Sequence, residues 1–312
     1  MARVLITGGT GLVGTADKNL LLQKGYEVVL LTRSTVSEKG YAHWDINAGT
    51  IDATAIAEAD YIIHLAGAGV ADKRWSTSRK QEILDSRTKS SALLVKALAE
   101  TPNKVKAVIS ASDIGWYGPD NNNGDNNNIA SQGFVETDPS YPDFLGTTCA
   151  AWEASIAPVT ANTNGLQKRL VCLRTGIVLS KHGGALKEFL KPLAVRMAAV
   201  LGNGKQVISW IDNRDLAKMF VYALENESLS GSYNAVAPTP VSNKTLTQTL
   251  AKVLYGKFYI TTYVPSFVLK IMLGEMSIEV LKSTTVSAQK IQDAGFVFDY
   301  PEITKSLSSL DL

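Results

Sequence analysis

The stretch Val4-Leu5-Ile6-Thr7-Gly8-Gly9-Thr10-Gly11-Leu12-Val13-Gly14 decides the fold. Val4, Leu5 and Ile6 form a short apolar run that predicts a buried first strand, and helical periodicity begins at Leu12. Between them Gly8, Gly11 and Gly14 stand at GxxGxxG spacing. A tight turn leaving a strand needs residues without a Cβ, which accept unusual dihedrals and let the backbone approach a pyrophosphate. The phosphates then meet the N–H groups that open the helix. A glycine-rich turn alone would also satisfy the triplet. The strand before it and the helix after it make it a dinucleotide site, drawn from Gly8, Thr10, Gly11, Leu12, Val13 and Gly14.

Working outward, Leu20, Leu21 and Leu22 supply the apolar face of the first helix, and Glu27 to Thr32 reads as a second strand. Arg33 follows it, about twenty residues past the last glycine, where a dinucleotide fold meets the adenosine ribose. An acid there would accept from a 2′-hydroxyl; arginine instead offers a charged fork to a 2′-phosphate, which favours NADP over NAD. A solvated arginine at a strand end is the plain alternative. Tyr41 to Ile46 reads as a third strand carrying Asp45 near its end, another cofactor-side candidate. A fourth strand, Ala59 to Ala66, runs into Gly67, so Leu65, Ala66 and Gly67 bring main chain to the cofactor. His64 inside that run reads as a satisfied core histidine.

Further on, Ser78 to Glu100 and Phe144 to Ala157 read as helices, and Lys106 to Ser112 and Arg169 to Arg174 as strands five and six. Ser110 and Ser112 thereby reach the carboxyl edge of the sheet, where open α/β sheets bind ligands. The Asn-rich run at 120–128 has nothing apolar to bury and reads as a surface loop at that edge, a lid or a neutral insertion. Beyond Gly176 a helix is expected over Ala185 to Val200 and another over Asp215 to Glu225. The βα alternation predicts an α/β doubly wound parallel sheet with a smaller C-terminal α/β lobe. Residues 1–176 with 210–236 are expected to form the nucleotide domain, and 177–209 with 237–312 the smaller substrate lobe.

Composition narrows the partners. The 312 residues are 45% hydrophobic and 19% charged with a net charge of +2, enough for a large core and no case for nucleic acid or an anionic membrane. Cys149 and Cys172 form no CxxC or Cys/His cluster, and His43, His64 and His182 are far apart, so neither a disulfide framework nor a zinc site is expected. No signal peptide or membrane span is legible. A cytoplasmic protein is the expectation.

These pieces resemble a known group. Thr7-Gly-Gly-Thr-Gly-Leu-Val-Gly14, His64-Leu-Ala-Gly67 and Ser110-Ala-Ser-Asp-Ile-Gly-Trp-Tyr-Gly118 are similar to the extended short-chain dehydrogenase/reductases, Rossmann-fold proteins. Ala71-Asp-Lys-Arg-Trp75, Asp85-Ser-Arg87, Leu173-Arg-Thr-Gly-Ile-Val-Leu179, Gly202-Asn-Gly-Lys-Gln206, Ser209-Trp-Ile211, Leu273-Gly-Glu275 and Ala294-Gly-Phe-Val-Phe298 resemble its atypical epimerase-family branch. The resemblance implies a catalytic Ser or Thr after strand five, matched by Ser112, and a Tyr-x-x-x-Lys pair on the next helix. There the sequence departs: Leu145 and Cys149 occupy the pair's places, and no lysine stands between Lys106 and Lys168. Arg87 replaces an asparagine usual in extended members, and Asp212-Asn-Arg-Asp215 replaces the branch's His-x-Asp-Asp.

Two readings follow. In the first, an NADP-dependent oxidoreductase or epimerase-like protein acts on a small polar substrate. Ser112 holds the carbonyl or hydroxyl, and Tyr117 is a substitute proton donor or a ring packed beside Trp116. Lys73, Arg74 and Trp75 bind the substrate's negative charge, or form a solvated basic loop. Arg87 and Ser110 join the cofactor side. In the second, the chain binds NADP(H) as a sensor without turnover. A homodimer through the Ser78–Glu100 and Phe144–Ala157 helices is implied by analogy with extended members.

Overall fold

The computed structural model describes residues 1–34, 38–120, 133–163 and 166–310. The opening apolar run is β1 (Arg3–Thr7), and α1 (Leu12–Gln23) follows the glycines. Then come β2 (Glu27–Thr32), β3 (Tyr41–Asp45), the short antiparallel β4 (Thr50–Ile51), α2 (Ala53–Glu58) and β5 (Tyr61–His64). The long helix α3 (Thr77–Glu100) leads to β6 (Ala107–Asp113), α4 (Phe144–Ile156) and β7 (Arg169–Thr175). The chain leaves for a second lobe through β8 (Ile177–Ser180), β9 (Gly183–Gly184), α5 (Ala185–Leu193), β10 (Met197–Leu201), β11 (Val207–Ile208) and β12 (Trp210–Asp212). It returns as α6 (Asn213–Glu225) and β13 (Gly231–Ala235), then ends in the second lobe with β14 (Val241–Ser242), α7 (Asn243–Tyr255), β15 (Ile260–Val264) and short helices.

The main sheet runs β13-β7-β6-β5-β1-β2-β3-β4, parallel throughout except for β4. Its order reverses around β1, which pairs with β2 on one side and β5 on the other. Ligands bind such sheets at the carboxyl ends flanking that point. Side chains alternate between two cores, as a sheet covered on both faces requires. Val4, Ile6, Ile63 and Ile109 pack with Leu21, Phe220 and Leu224 under α1 and α6, while Leu5, Ile62 and Val108 pack with Ile56, Leu94, Leu98 and Ile156 on the other face. Each such aliphatic side chain contributes about 1.5–3 kcal/mol by leaving water. Of the three leucines expected on the apolar face of α1, Leu21 is buried and Leu22 is 49% exposed.

Two differences from the sequence reading matter. The helix expected over 185–200 stops at Leu193: Pro192 sits in its last turn, and Arg196 turns the chain at φ +58°. Met197–Leu201 is instead a strand paired in parallel with Ile260–Val264. Trp210–Asp212, expected with the nucleotide domain, pairs with Ile177–Leu179 in the second lobe. That lobe has its own core of Leu179, Leu186, Trp210, Leu246, Leu250 and Leu307.

Candidate active site and cofactor cleft

The turn between β1 and α1 is shaped by contacts that leave no room for side chains. Gly8 has φ +68°, and a Cβ there would lie 2.9 Å from the Leu65 carbonyl. A Cβ on Gly14 would lie 2.5 Å from the Gly8 oxygen, so the helix start rests on the turn. Gly11 differs: its Cβ would meet only the Gly8 oxygen, at 3.2 Å. Gly11 caps α1 without a side-chain hydrogen bond, and no acid lies in the helix's first turn. The N–H groups opening α1 thus face outward with no competing anion, as a phosphate requires. Thr10 and Gly11 are exposed there, and Leu12 and Val13 half-buried. The cradle fits a dinucleotide pyrophosphate.

The neighbouring strand end is held by a buried relay. The Thr7 hydroxyl accepts from the Leu65 and Ala66 N–H groups at 3.1 and 3.2 Å, so its own proton goes to Nδ1 of His64, 2.7 Å away. Nε2 of His64 then donates to Ser91 at 3.0 Å, and Ser91 donates to the Arg87 carbonyl at 2.8 Å. His64 is wholly buried, and burial pulls its pKa down to about 3, so the ring is neutral. It is a satisfied core histidine that fixes Leu65, Ala66 and the exposed Gly67. Arg33 is exposed just past β2. Asp45 caps the turn after β3, accepting from Asn47 and Ala48 through Oδ1, which holds its carboxyl below the usual range.

Ser112 and Tyr117 are placed otherwise than a substrate-facing role requires. Ser112 is 2% exposed and donates to Oε1 of Glu153 at 2.7 Å. Tyr117 is fully buried, donates to Oδ1 of Asn234 at 2.7 Å and accepts from Nη1 of Arg174 at 3.0 Å. Burial, opposed by Arg174, pushes its phenol up to about 12. Arg174 also lies 3.6 Å over the Trp116 ring and donates to the Glu136 carbonyl, and Ser232 donates to Glu153. Both hydroxyls are therefore hydrogen-bonded inside the domain, where the sequence reading expected groups facing a substrate. Ser110, wholly buried, donates to the adjacent Ala111 carbonyl.

The sequence carried one sign of this network. An arginine inside the apolar strand Leu170-Val-Cys-Leu-Arg-Thr175 must find a partner when buried, and Glu153 one helix earlier is that partner.

Arg87 is 8% exposed, donates to the Ala68 and Ile83 carbonyls at 2.9 and 3.0 Å, and lies 4.9 Å over the Trp152 ring. Its charge acts on Cys149 and Asp113, so a cation from α3 reaches the surroundings of the absent lysine. Cys149 is buried, which pushes its thiol well up and leaves no thiolate. Trp75 packs edge-on against Phe144 with centroids 4.9 Å apart and anchors the 71–76 loop. Lys73 and Arg74 are exposed on that loop. Arg74 lies against Gly274, and Lys80 at the start of α3 pairs with Glu275, so the loop and the helix it leads into meet the second lobe. Among the described residues no cluster of His, Cys, Asp or Glu could hold a metal ion, and no helix is long and apolar enough to cross a membrane.

With the cradle and sheet order established, the comparisons decide the family. The model described as NAD dependent epimerase/dehydratase family matches residues 4–236. The chain belongs to that family. A domain of unknown function (DUF1731) matches residues 264–310, within the second lobe. An epimerase family protein of Mycobacterium leprae is 31% identical over 98% of this chain and 95% of its own length. The human epimerase family protein SDR39U1 is 30% identical over 99% of both chains. The crystal structure of human SDR39U1 (isoform2) with NADPH superposes with a TM-score of 0.84 at 29% identity, covering 99% of this chain and 98% of that one. MoeE5 in complex with UDP-glucose and NAD shares the fold, with a TM-score of 0.77 at 19% identity over 99% and 97% of the two chains. The family is thus NAD(P)-binding, and its epimerase/dehydratase region here spans β1 to β13 together with the intervening segment of the second lobe.

Proposed function

We propose that this chain binds NADP(H) and acts as an oxidoreductase or epimerase-type protein on a small polar substrate, without a Tyr-x-x-x-Lys pair. The observation that carries the reading is the uncapped start of α1 held on Gly8 by Gly14, an anion site with room at Gly11. Gly8, Thr10, Gly11, Leu12, Val13 and Gly14 would hold the pyrophosphate; Leu65, Ala66 and Gly67 would bring main chain to the cofactor. Asp45 would border it, and Arg33 would take the 2′-phosphate. The NADPH in the human relative's structure supports that choice. When bound, the cofactor supplies hydride transfer, and the protein supplies orientation. Lys73 and Arg74 would meet the substrate's charge at the seam between the lobes. The α3 and α4 helices would meet their copies in a homodimer, whose mass light scattering reads.

A second reading, a sensor of NADP(H) without turnover, is favoured by the internal commitment of Ser112 and Tyr117. Calorimetry tests the shared core of both readings. NADPH should bind more tightly than NADH, and Arg33→Ala should remove most of the difference, about 1.5–3 kcal/mol for a charge-assisted contact. Equal affinities in the unaltered protein would overturn the choice of cofactor.

A further inference from the structure

Three elements converge at the carboxyl end of β6. Asp113 ends the strand, half-buried, and its Oδ1 accepts from the Gly115 N–H at 2.6 Å. A Cβ on Gly115 would lie 2.9 Å from that oxygen and 2.9 Å from the Leu145 Cβ, so the carboxyl stands beside the helix position that lacks the expected tyrosine. From α3, Arg87 brings its guanidinium to bear on Asp113 and on Cys149, the position that lacks the lysine. From the second lobe, Lys282 reaches back. Its side chain is nine-tenths buried, with Nζ 2.7 Å from Oε2 of Glu279 and 3.8 Å from Oδ2 of Asp143, the residue that caps α4. Its charge also acts on Asp113.

We propose that Asp113 is the proton-transferring group of this site, and that Lys282 and Arg87 are positioning residues that set its charge. The inference rests on the NADP(H) reading above. In the reductive direction one hydride, which carries both electrons, passes to the substrate's carbonyl carbon and oxidises NADPH to NADP⁺. The C=O π pair becomes an O–H bond using the Asp113 carboxyl proton, and the carboxylate regains a proton from water. The reverse direction uses the carboxylate as base.

The surroundings suit this role. Arg87 acts on the carboxyl from α3, the Cys149 thiol from α4, and Lys282 with Glu279 from the second lobe, where Lys282 also meets Asp143 at the start of α4. Burial raises the Asp113 pKa, while the Gly115 N–H, Arg87 and Lys282 pull it back, leaving a net rise. A rise moves a carboxyl toward neutral working pH, where an acid–base catalyst is most effective.

Two readouts test the inference. In cofactor-free protein carrying ¹³C-carboxyl aspartate, the carboxyl resonance that vanishes in Asp113→Asn should be one of those that titrate above the ordinary range, beside those of Asp17 and Asp215. Lys282→Met should move its midpoint up, and Lys282→Arg should restore it. With NADPH and a panel of small dicarbonyls (methylglyoxal and 2,3-butanedione), Asp113→Asn should lose roughly a hundredfold in rate while NADPH affinity holds. The pH midpoint of the rate should follow the NMR midpoint in Lys282→Met. Unchanged rates in Asp113→Asn, or no reduction of either dicarbonyl by unaltered protein that binds NADPH, overturn the assignment. Failure of the unaltered protein to bind NADPH strikes the cofactor reading instead.

Discussion

Arg174 and Glu153 form a two-pronged ion pair inside the nucleotide domain, with Nε 2.8 Å from Oε1 and Nη2 3.0 Å from Oε2. In the sheet, Arg174 stands opposite Ser112 on β6 and Asn234 on β13, and its partners Glu153 and Tyr117 bond those residues in turn, so the network ties three strands to α4. Tyr117, the substitute donor of the sequence reading, is one of its hydrogen-bond partners, and Ser112, which the resemblance marks, shares Glu153 with it. Their loss should therefore register as stability.

Arg174→Met leaves the Glu153 carboxylate buried without its cation and should cost about 3–5 kcal/mol. Ser112→Ala removes one hydrogen bond to a charged group, about 1.5–3 kcal/mol, and should leave NADPH affinity unchanged. Urea unfolding measures both. A Ser112→Ala protein of unaltered stability that no longer binds NADPH would return Ser112 to the cleft.

Gly11 and Gly14 should fail in different ways. Gly14→Ala drives a methyl to 2.5 Å from the Gly8 carbonyl, backbone that cannot yield cheaply, and should destabilise the fold. Gly11→Val should stay folded and lose nucleotide, because its side chain enters the space the pyrophosphate needs. Circular dichroism melting beside NADPH titration separates the two, and near-normal binding by Gly11→Val would count against the cradle.

His64 should steepen acid denaturation. Its folded pKa of about 3 lies below the ordinary 6.5, so the native state favours the neutral ring. The protein is unaffected above pH 6.5 and loses stability as pH falls toward 3, by several kcal/mol in all. His64→Gln should flatten that limb in a series of urea midpoints; an unchanged slope would show that the ring titrates normally.

Asp17 acts with the opposite sign. It is wholly buried on α1, and neither carboxylate oxygen has a hydrogen-bond partner among the described residues. Burial raises its pKa well above 3.8, so folding favours the protonated form, and stability is lost as pH rises from 3.8 through the folded value. Asp17→Leu should stabilise the protein by about 1–3 kcal/mol at pH 3, the cost of an unsatisfied buried polar group, and by more at pH 7, where the unfolded carboxyl ionises. Equal gains at both pH values would point to packing as the cause.

The central strands were legible because a parallel sheet buried on both faces writes unbroken apolar runs into the sequence: Val4–Ile6, Val28–Leu31 and Val108–Ile109 needed no partner to be recognised. The cradle was legible because its glycines are consecutive in chain and space. Met197–Leu201 was not, since its strand character comes from pairing with Ile260–Val264, and local periodicity suited a helix equally well. Pro192 was the available warning. Ser112 was assigned to the correct strand end, but alternation along a strand says nothing of what waits on each face. The partners Glu153, Arg174 and Lys282 come from elements whose meeting only the fold determines.

The segment after Lys282 carries a consequence for biosynthesis. Residues 283–287 are stitched along the nucleotide domain: Asp120 donates to Ser283 and accepts from Thr285, and Phe134 exchanges main-chain bonds with Thr285 and Ser287. This seam holds Lys282 over the end of β6. A ribosome therefore delivers every strand of the main sheet before it delivers the cation that completes the cleft. A nascent chain with that sheet already folded still lacks Lys282 at the end of β6. The second lobe is thus the clasp fastened last.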